Sequence, residues 1–153
     1  MHLDLTDRVV VVTGAARGIG RTLADRFVDE GCRVVALDLA FEPDFPLEHV
    51  VCNVADPASV RDAVDEVVGR HGTIDVLVNN AGINVTGTVA ELQWDAWRRC
   101  MDVNLGGTFL MSQAVAPVMQ AAGRGRIVNA ASFAAIVPSV GSAAYAASKS
   151  AVV

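Results

Sequence analysis

The sequence predicts an α/β fold built on a doubly wound, parallel sheet. Three observations carry this: strand-length apolar runs that do not alternate with polar residues, helix-period segments between them, and a glycine-rich turn at the first junction. A strand covered on both faces reads as a continuous β-branched run, and strands separated by helices pair in parallel through crossovers.

Residues 8–13, with four consecutive valines, form the first predicted strand. The helix at 19–30 places Ile19, Leu23, Phe27 and Val28 on one face, and Gly31 stops it. Strands follow at 33–38 and 49–52. Only ten residues, including Pro43 and Pro46, separate Asp38 from His49, too few for a full crossover helix. Asp56 caps the next helix, with Pro57 in its first position, an apolar face of Val60, Ala63, Val64, Val67 and Val68, and Gly72 as its stop. A strand at 75–79 precedes a long helical region at 94–122. Trp94 and Trp97 are expected to pack its start, and Gly106, Gly107 and Pro117 to make it irregular. A strand at 126–130 is the fifth, and a helix starts near Ser142. A doubly wound sheet of this order ordinarily has six strands. The expectation is one dinucleotide-binding and catalytic domain over residues 1–153, truncated after the fifth strand and the start of the following helix, as the N-terminal part of a longer chain.

Composition narrows the function classes. The 153 residues carry 17 acidic and 12 basic side chains, a formal charge of −5, which disfavours a nucleic-acid partner held by bulk charge. An apolar content of 52% excludes disorder. The stretches 103–123 and 127–148 lack charge, but they contain Asn104, Pro117, Asn129 and Pro138, so buried soluble elements are expected rather than membrane spans. Residues 1–4 show no basic region ahead of an apolar run, as a signal peptide would. Cys32, Cys52 and Cys100 are odd in number and widely spaced, and His2, His49 and His71 are scattered. No metal site is expected, and reduced cysteines fit a cytoplasmic protein.

The turn Thr13-Gly14-Ala15-Ala16-Arg17-Gly18-Ile19-Gly20 joins the first strand to the first helix. In that context glycines permit a tight turn and close backbone approach to a pyrophosphate, which the free N–H groups of the helix terminus then receive. A plain turn has no need of three glycines in seven residues. Asp38 ends the second strand, where a carboxylate accepts hydrogen bonds from the adenosine ribose and repels a 2′-phosphate. It favours NAD; Arg17, able to reach a 2′-phosphate, keeps NADP possible.

Adding Asn79-Asn80-Ala81-Gly82 after the fourth strand, Asn104, Ser132, and Tyr145-Ala-Ala-Ser-Lys149, the chain resembles the short-chain dehydrogenase/reductase family along its whole length. The resemblance implies a Rossmann-like fold, a nicotinamide cofactor, and hydride exchange with an alcohol or carbonyl substrate. It makes Tyr145 the general acid/base, Lys149 its partner and a ligand of the nicotinamide ribose, and Ser132 the hydroxyl that orients the substrate oxygen. Asn104 would kink its helix and hold a water of the proton relay. Cofactor contacts fall to Gly14, Arg17, Gly18, Ile19, Gly20, Asp38, the adenine pair Asn53 and Val54, the wall Asn80, Ala81 and Gly82, and Tyr145 and Lys149. Asn53 stands where the family more often has Asp, and Ala131 where a serine often precedes the catalytic one.

The chemistry gives an independent reason for the pair. A free phenol ionises near pH ~10 and is a poor base at neutrality, whereas a nearby cation favours the phenolate. Positions i and i+4 share a helix face. Tyr145 is the chain's one tyrosine and Lys149 its one lysine; the other 11 basic residues are all arginine. An ammonium is a compact charge with three donors, which suits contact with both a phenol and ribose hydroxyls; a planar guanidinium does not.

Two other classes stay open. Sugar-nucleotide epimerases and dehydratases share Tyr-x-x-x-Lys but ordinarily have Gly-x-x-Gly-x-x-Gly, against Gly14-x-x-x-Gly18-x-Gly20 here. A non-catalytic dinucleotide-binding module fits if only this fragment exists. Residues 83–91 and 133–144 alone can contribute to a substrate pocket. The short 39–48 connection is similar to that of dihydrodiol dehydrogenases, while 3-oxoacyl-thioester reductases and sugar or polyol dehydrogenases are equally open. Family members pair their long helices, so the apolar 105–119 region leads to the expectation of a homo-oligomer, a dimer or tetramer, at full length.

Overall fold

The computed structural model describes residues 5–153. The reading of residues 1–4, with His2, lies outside the described residues. Five strands, β1 (Val9–Thr13), β2 (Arg33–Asp38), β3 (His49–Val51), β4 (Val76–Asn79) and β5 (Arg126–Asn129), form one parallel sheet in the order β3-β2-β1-β4-β5. This is the predicted doubly wound, Rossmann-like sheet. The order reverses between β1 and β4, and ligands bind such sheets beyond the carboxyl ends of the strands at that point.

Each face has its own core. Val9, Val11, Val35, Leu37 and Leu77 point to one side, where α2 (Pro57–His71) adds Val60, Val64 and Val67 and α4 (Gly107–Ala121) adds Met111 and Val115. Val10, Val12, Val34, Ala36, Val76 and Val78 point to the other, against Ala24, Leu23 and Phe27 of α1 (Gly18–Asp29). The 39–48 connection forms no helix; its Phe41, Phe45 and Leu47 pack on this second core.

Four expectations are corrected. Ile19 is not on the buried face of α1: it is 75% exposed, Val28 is also exposed, and the packed positions are Gly20 and Ala24. Small residues let the helix approach β1 closely, so the apolar stripe turns toward Leu23 and Phe27. The long helical region is irregular at Gly106 and Gly107, as expected, but not at Pro117. It comprises α3 (Trp94–Met101), a π-helical turn (Asp102–Gly106) and α4, while Pro117 lies inside continuous helix. Trp94 is exposed rather than packed. Finally, β5 is not buried: all four of its residues are exposed, as are Phe133, Ile136, Val137 and Val140 after it. β5 is the last strand of the sheet and pairs with β4 alone. The helix that follows, α5 (Ala143–Ser150), packs on α3, the π turn and the 3₁₀ turn Phe133–Ala135 rather than over β5. No helix among the described residues is long and apolar enough to cross a membrane.

Candidate active site

A cleft of about 830 Å³ opens at the carboxyl ends of β1, β2, β4 and β5. Its first wall is the glycine loop. Gly14 has φ +66°, and a Cβ there would lie 2.8 Å from the Ala81 Cα; a Cβ on Gly20 would lie 2.1 Å from the Gly14 carbonyl oxygen. Only glycine fits either place. Asp38 braces the loop: its carboxylate accepts from the N–H of Ala16 at 2.9 Å and of Leu39 at 2.8 Å. Each oxygen keeps a further lone pair for a ribose hydroxyl. The two helix termini differ instructively. Asp56 caps α2 by accepting from the Ala58 N–H at 3.0 Å, whereas Arg17 at the N-cap of α1 makes no side-chain cap. The first N–H groups of α1 lack partners within the helix. An uncapped terminus beside a space closed to any Cβ fits the pyrophosphate of a dinucleotide.

The floor is the segment after β4. Thr13 Oγ1 accepts from the N–H groups of Asn80 and Ala81, each at 3.0 Å, and Asn80 Nδ2 donates to the Thr13 carbonyl at 2.9 Å. Asn80, Ala81 and Gly82 are thereby fastened across β1. Asn53 and Val54, after β3, line the cleft farther along.

The second wall is α5. Tyr145 and Lys149 both line the cleft, with Lys149 Nζ 6.0 Å from the Tyr145 ring centroid. Lys149 is 5% exposed, and its Nζ donates to the Ala130 carbonyl at 2.6 Å. Burial pushes its ammonium below the ordinary lysine value, an effect opposed by the Cys100 thiol nearby. Burial in turn raises the Cys100 thiol, against the pull of its Ser148 contact and of Lys149.

Of the predicted residues, the structure brings Gly14, Arg17, Ile19, Gly20, Asp38, Asn53, Val54, Asn80, Ala81, Gly82, Tyr145 and Lys149 onto one cleft. Three stand off it. Gly18 is in the loop but not on the lining. Ser132 caps the 3₁₀ turn, its Oγ accepting from the Ala134 N–H at 3.2 Å. Asn104 is fully buried within the π turn. Its Oδ1 accepts from the Ile83 N–H at 2.8 Å, its Nδ2 donates to the Ile83 carbonyl and to Ser148 Oγ, and its carbonyl accepts from Thr108 Oγ1 at 2.8 Å. Its side chain thus works inside the protein, joining the floor to α5. Sequence reasoning passed over Thr13 and Ser148, whose partners lie 67 and 44 positions away. It also passed over Arg98 and Arg99 on the cleft rim. Among the described residues no cluster of three His, Cys, Asp or Glu side chains is gathered for a metal.

The chain is similar to known proteins over nearly its whole length. The family model described as short chain dehydrogenase matches residues 8–153. The chain is 42% identical over 160 residues to a D-threitol dehydrogenase of Mycolicibacterium smegmatis, covering 97% of the chain and 62% of that protein. It is 36% identical over 159 residues to an NAD-dependent glycerol dehydrogenase of Listeria innocua, covering 98% and 62%. Among solved structures, the ligand-free aldohexose dehydrogenase of Thermoplasma acidophilum superposes with a TM-score of 0.95 at 40% identity, covering 99% of the chain and 60% of its counterpart. The chain thus spans about three fifths of the length of each of these proteins. With a parallel sheet, a glycine-lined cleft at its switch point and a match over nearly every residue, the chain belongs to the short-chain dehydrogenase family.

Proposed function

We propose that the protein is an NAD-dependent dehydrogenase of small polyhydroxylated alcohols, interconverting a secondary alcohol and its ketone. The observation that carries the reading is the meeting of Tyr145 and Lys149, the chain's one tyrosine and one lysine, on the same cleft as the glycine loop. Bound there, the nicotinamide supplies or accepts the hydride. In oxidation the Tyr145 side chain, as phenolate, takes the alcohol proton; in reduction its hydroxyl gives a proton to the carbonyl oxygen. Lys149 stands beside the phenol, its Nζ 6.0 Å from the ring centroid, and holds the ribose with its remaining donors. Ser132 orients the substrate oxygen once its hydroxyl turns from the 3₁₀ turn to the substrate.

Asp38 supports NAD over NADP, since a carboxylate at the end of β2 repels a 2′-phosphate; the NAD-dependence named for the glycerol relative agrees. The polyol class is supported by relatives named for threitol and glycerol. The exposed Phe109 on α4 supports a homo-oligomer of the full-length protein.

The test follows NADH absorbance with NAD or NADP across polyols, simple alcohols and 3-oxoacyl thioesters. Tyr145→Phe should lower kcat by about 10²-fold or more, the scale of general acid–base catalysis, with NADH affinity little changed. Unchanged turnover in Tyr145→Phe refutes the role of the tyrosine. NADH binding without turnover on any alcohol points instead to a binding module.

A further inference from the structure

We propose that the Ser148 hydroxyl positions Tyr145 and Lys149 against the cofactor wall by tying α5 to Asn104. What the pair is positioned for rests on the dehydrogenase reading; the tether itself does not.

Ser148 is fully buried, three residues after Tyr145 and one before Lys149. Its hydroxyl donates to the Tyr145 carbonyl at 2.8 Å and accepts from Asn104 Nδ2 at 2.9 Å. Asn104 in turn grips Ile83 through both the N–H, at 2.8 Å, and the carbonyl, at 3.0 Å. Ile83 follows Gly82, where a Cβ would lie 3.5 Å from Lys149 Nζ and 3.2 Å from Asn104 Oδ1. A chain of bonds therefore runs from α5 through Ser148 to Asn104 and on to the floor segment, which lies beside the ammonium at Gly82.

A buried helical serine is often satisfied by a carbonyl of its own helix, and the Tyr145 bond does that. The bond from Asn104, 44 residues away, is unnecessary for that purpose. Other than Ser148, which also lies 3.9 Å from Cys100 Sγ, no residue of α5 makes a side-chain hydrogen bond to α3 or the π turn among the described residues. The other buried residues of α5 besides Lys149 are Ala144 and Ala146. Methyl groups make a smooth contact that resists sliding weakly, whereas a directional bond fixes one register.

The titratable groups nearest Lys149 are Tyr145 on its own helix and Cys100 on α3. Asp95, Arg98 and Arg99 of α3, Asp102 of the π turn, and Arg17 and Asp38 on the opposite wall line the same cleft.

As the chain's one lysine, Lys149 labelled with ¹³C at its ε-carbon gives a single NMR signal. The experiment titrates that signal in wild type, Ser148→Ala and Ser148→Thr. The wild-type midpoint should lie below that of free lysine. In Ser148→Ala it should rise towards the free value as the loosened helix admits water, and in Ser148→Thr, which keeps the hydroxyl, it should stay with wild type. An unchanged midpoint in folded Ser148→Ala overturns the proposal, as does a wild-type midpoint already at the free value. Should the alanine variant fail to fold, Ser148→Cys keeps the volume with a weaker hydrogen bond, and an unchanged midpoint there overturns it equally. NADH binding to wild type is measured separately by fluorescence. Its absence would sink the dehydrogenase reading and leave the titration result standing.

Discussion

The two walls of the cleft are held by different physics. The glycine-loop wall is a backbone structure. Gly14, Gly20 and Ala81 meet where no side chain fits, and Thr13, Asp38 and Asn80 lock the contact with four hydrogen bonds of 3.0 Å or less. It stands on β1, β2 and β4, whose residues are almost all buried. The α5 wall is a side-chain structure. Its helix has eight residues, small ones at its packed positions, and it reaches the floor through Ser148 and Asn104 and the β5 end through the Lys149 bond to Ala130. The strand behind it, β5, is exposed at every residue. The difference teaches that the glycine-loop wall is rigid by exclusion, whereas the wall bearing Tyr145 and Lys149 is placed by a few directional bonds.

Gly20→Ala should have the largest effect. Its new methyl meets the Gly14 carbonyl oxygen at 2.1 Å and Asn80 Nδ2 at 2.5 Å, with nowhere to turn. A loss of about 3 kcal/mol in urea denaturation is expected, as for severe overpacking, together with loss of NADH binding. A variant that keeps both would show the first wall to be as pliant as the second. Next comes Thr13→Val, which keeps the shape of the side chain but leaves the Ala81 N–H without its acceptor and the Asn80 N–H with the Val78 carbonyl alone, at 3.1 Å. About 1 kcal/mol of stability should go, the cost of one orphaned, half-buried donor, again read by urea denaturation.

Lys149→Met should give a change no larger and of the opposite sign. Among the described residues no carboxylate forms a salt bridge with this buried ammonium, so removing the charge should stabilise the fold by about 1 kcal/mol at neutral pH while abolishing turnover. The sign follows from linkage. The folded-state value of Lys149 is lowered, so below it both states are protonated and the folded state bears the full burial cost. As pH rises from there towards the ordinary lysine value, the unfolded state binds more protons and the wild type gains stability. The advantage of Lys149→Met should therefore shrink over that window in urea melts. A constant gap would mean that the second wall holds its lysine at no electrostatic cost.

Much of this was written locally. The glycine loop, the Asp56–Pro57 helix start, the Gly72 stop and the β-branched run of β1 each announce themselves within a few residues, because caps, turns and two-sided burial act over that range. The motifs that carry the family resemblance are equally local. Burial was less legible. Ile19 has the period of a packed residue and β5 the composition of a buried strand, yet both are exposed. Periodicity does not say how closely a helix approaches its sheet or whether a strand has a neighbour on its far side. The π turn was only partly legible: Gly106 and Gly107 marked irregularity, but the residue at its centre is Asn104, held there by Ile83 and Ser148.

The sequence by itself determined the order of strands and helices, the glycine-rich turn between β1 and α1, and the identity of the one tyrosine and the one lysine, since each depends on residues close together in the chain. Tertiary structure alone decided that Thr13 fastens the floor, that Ser148 meets Asn104, and that Lys149 is buried against the Ala130 carbonyl. Those contacts join residues 19 to 68 positions apart, and a hydrogen bond forms only when folding brings donor and acceptor within about 3 Å along a suitable direction.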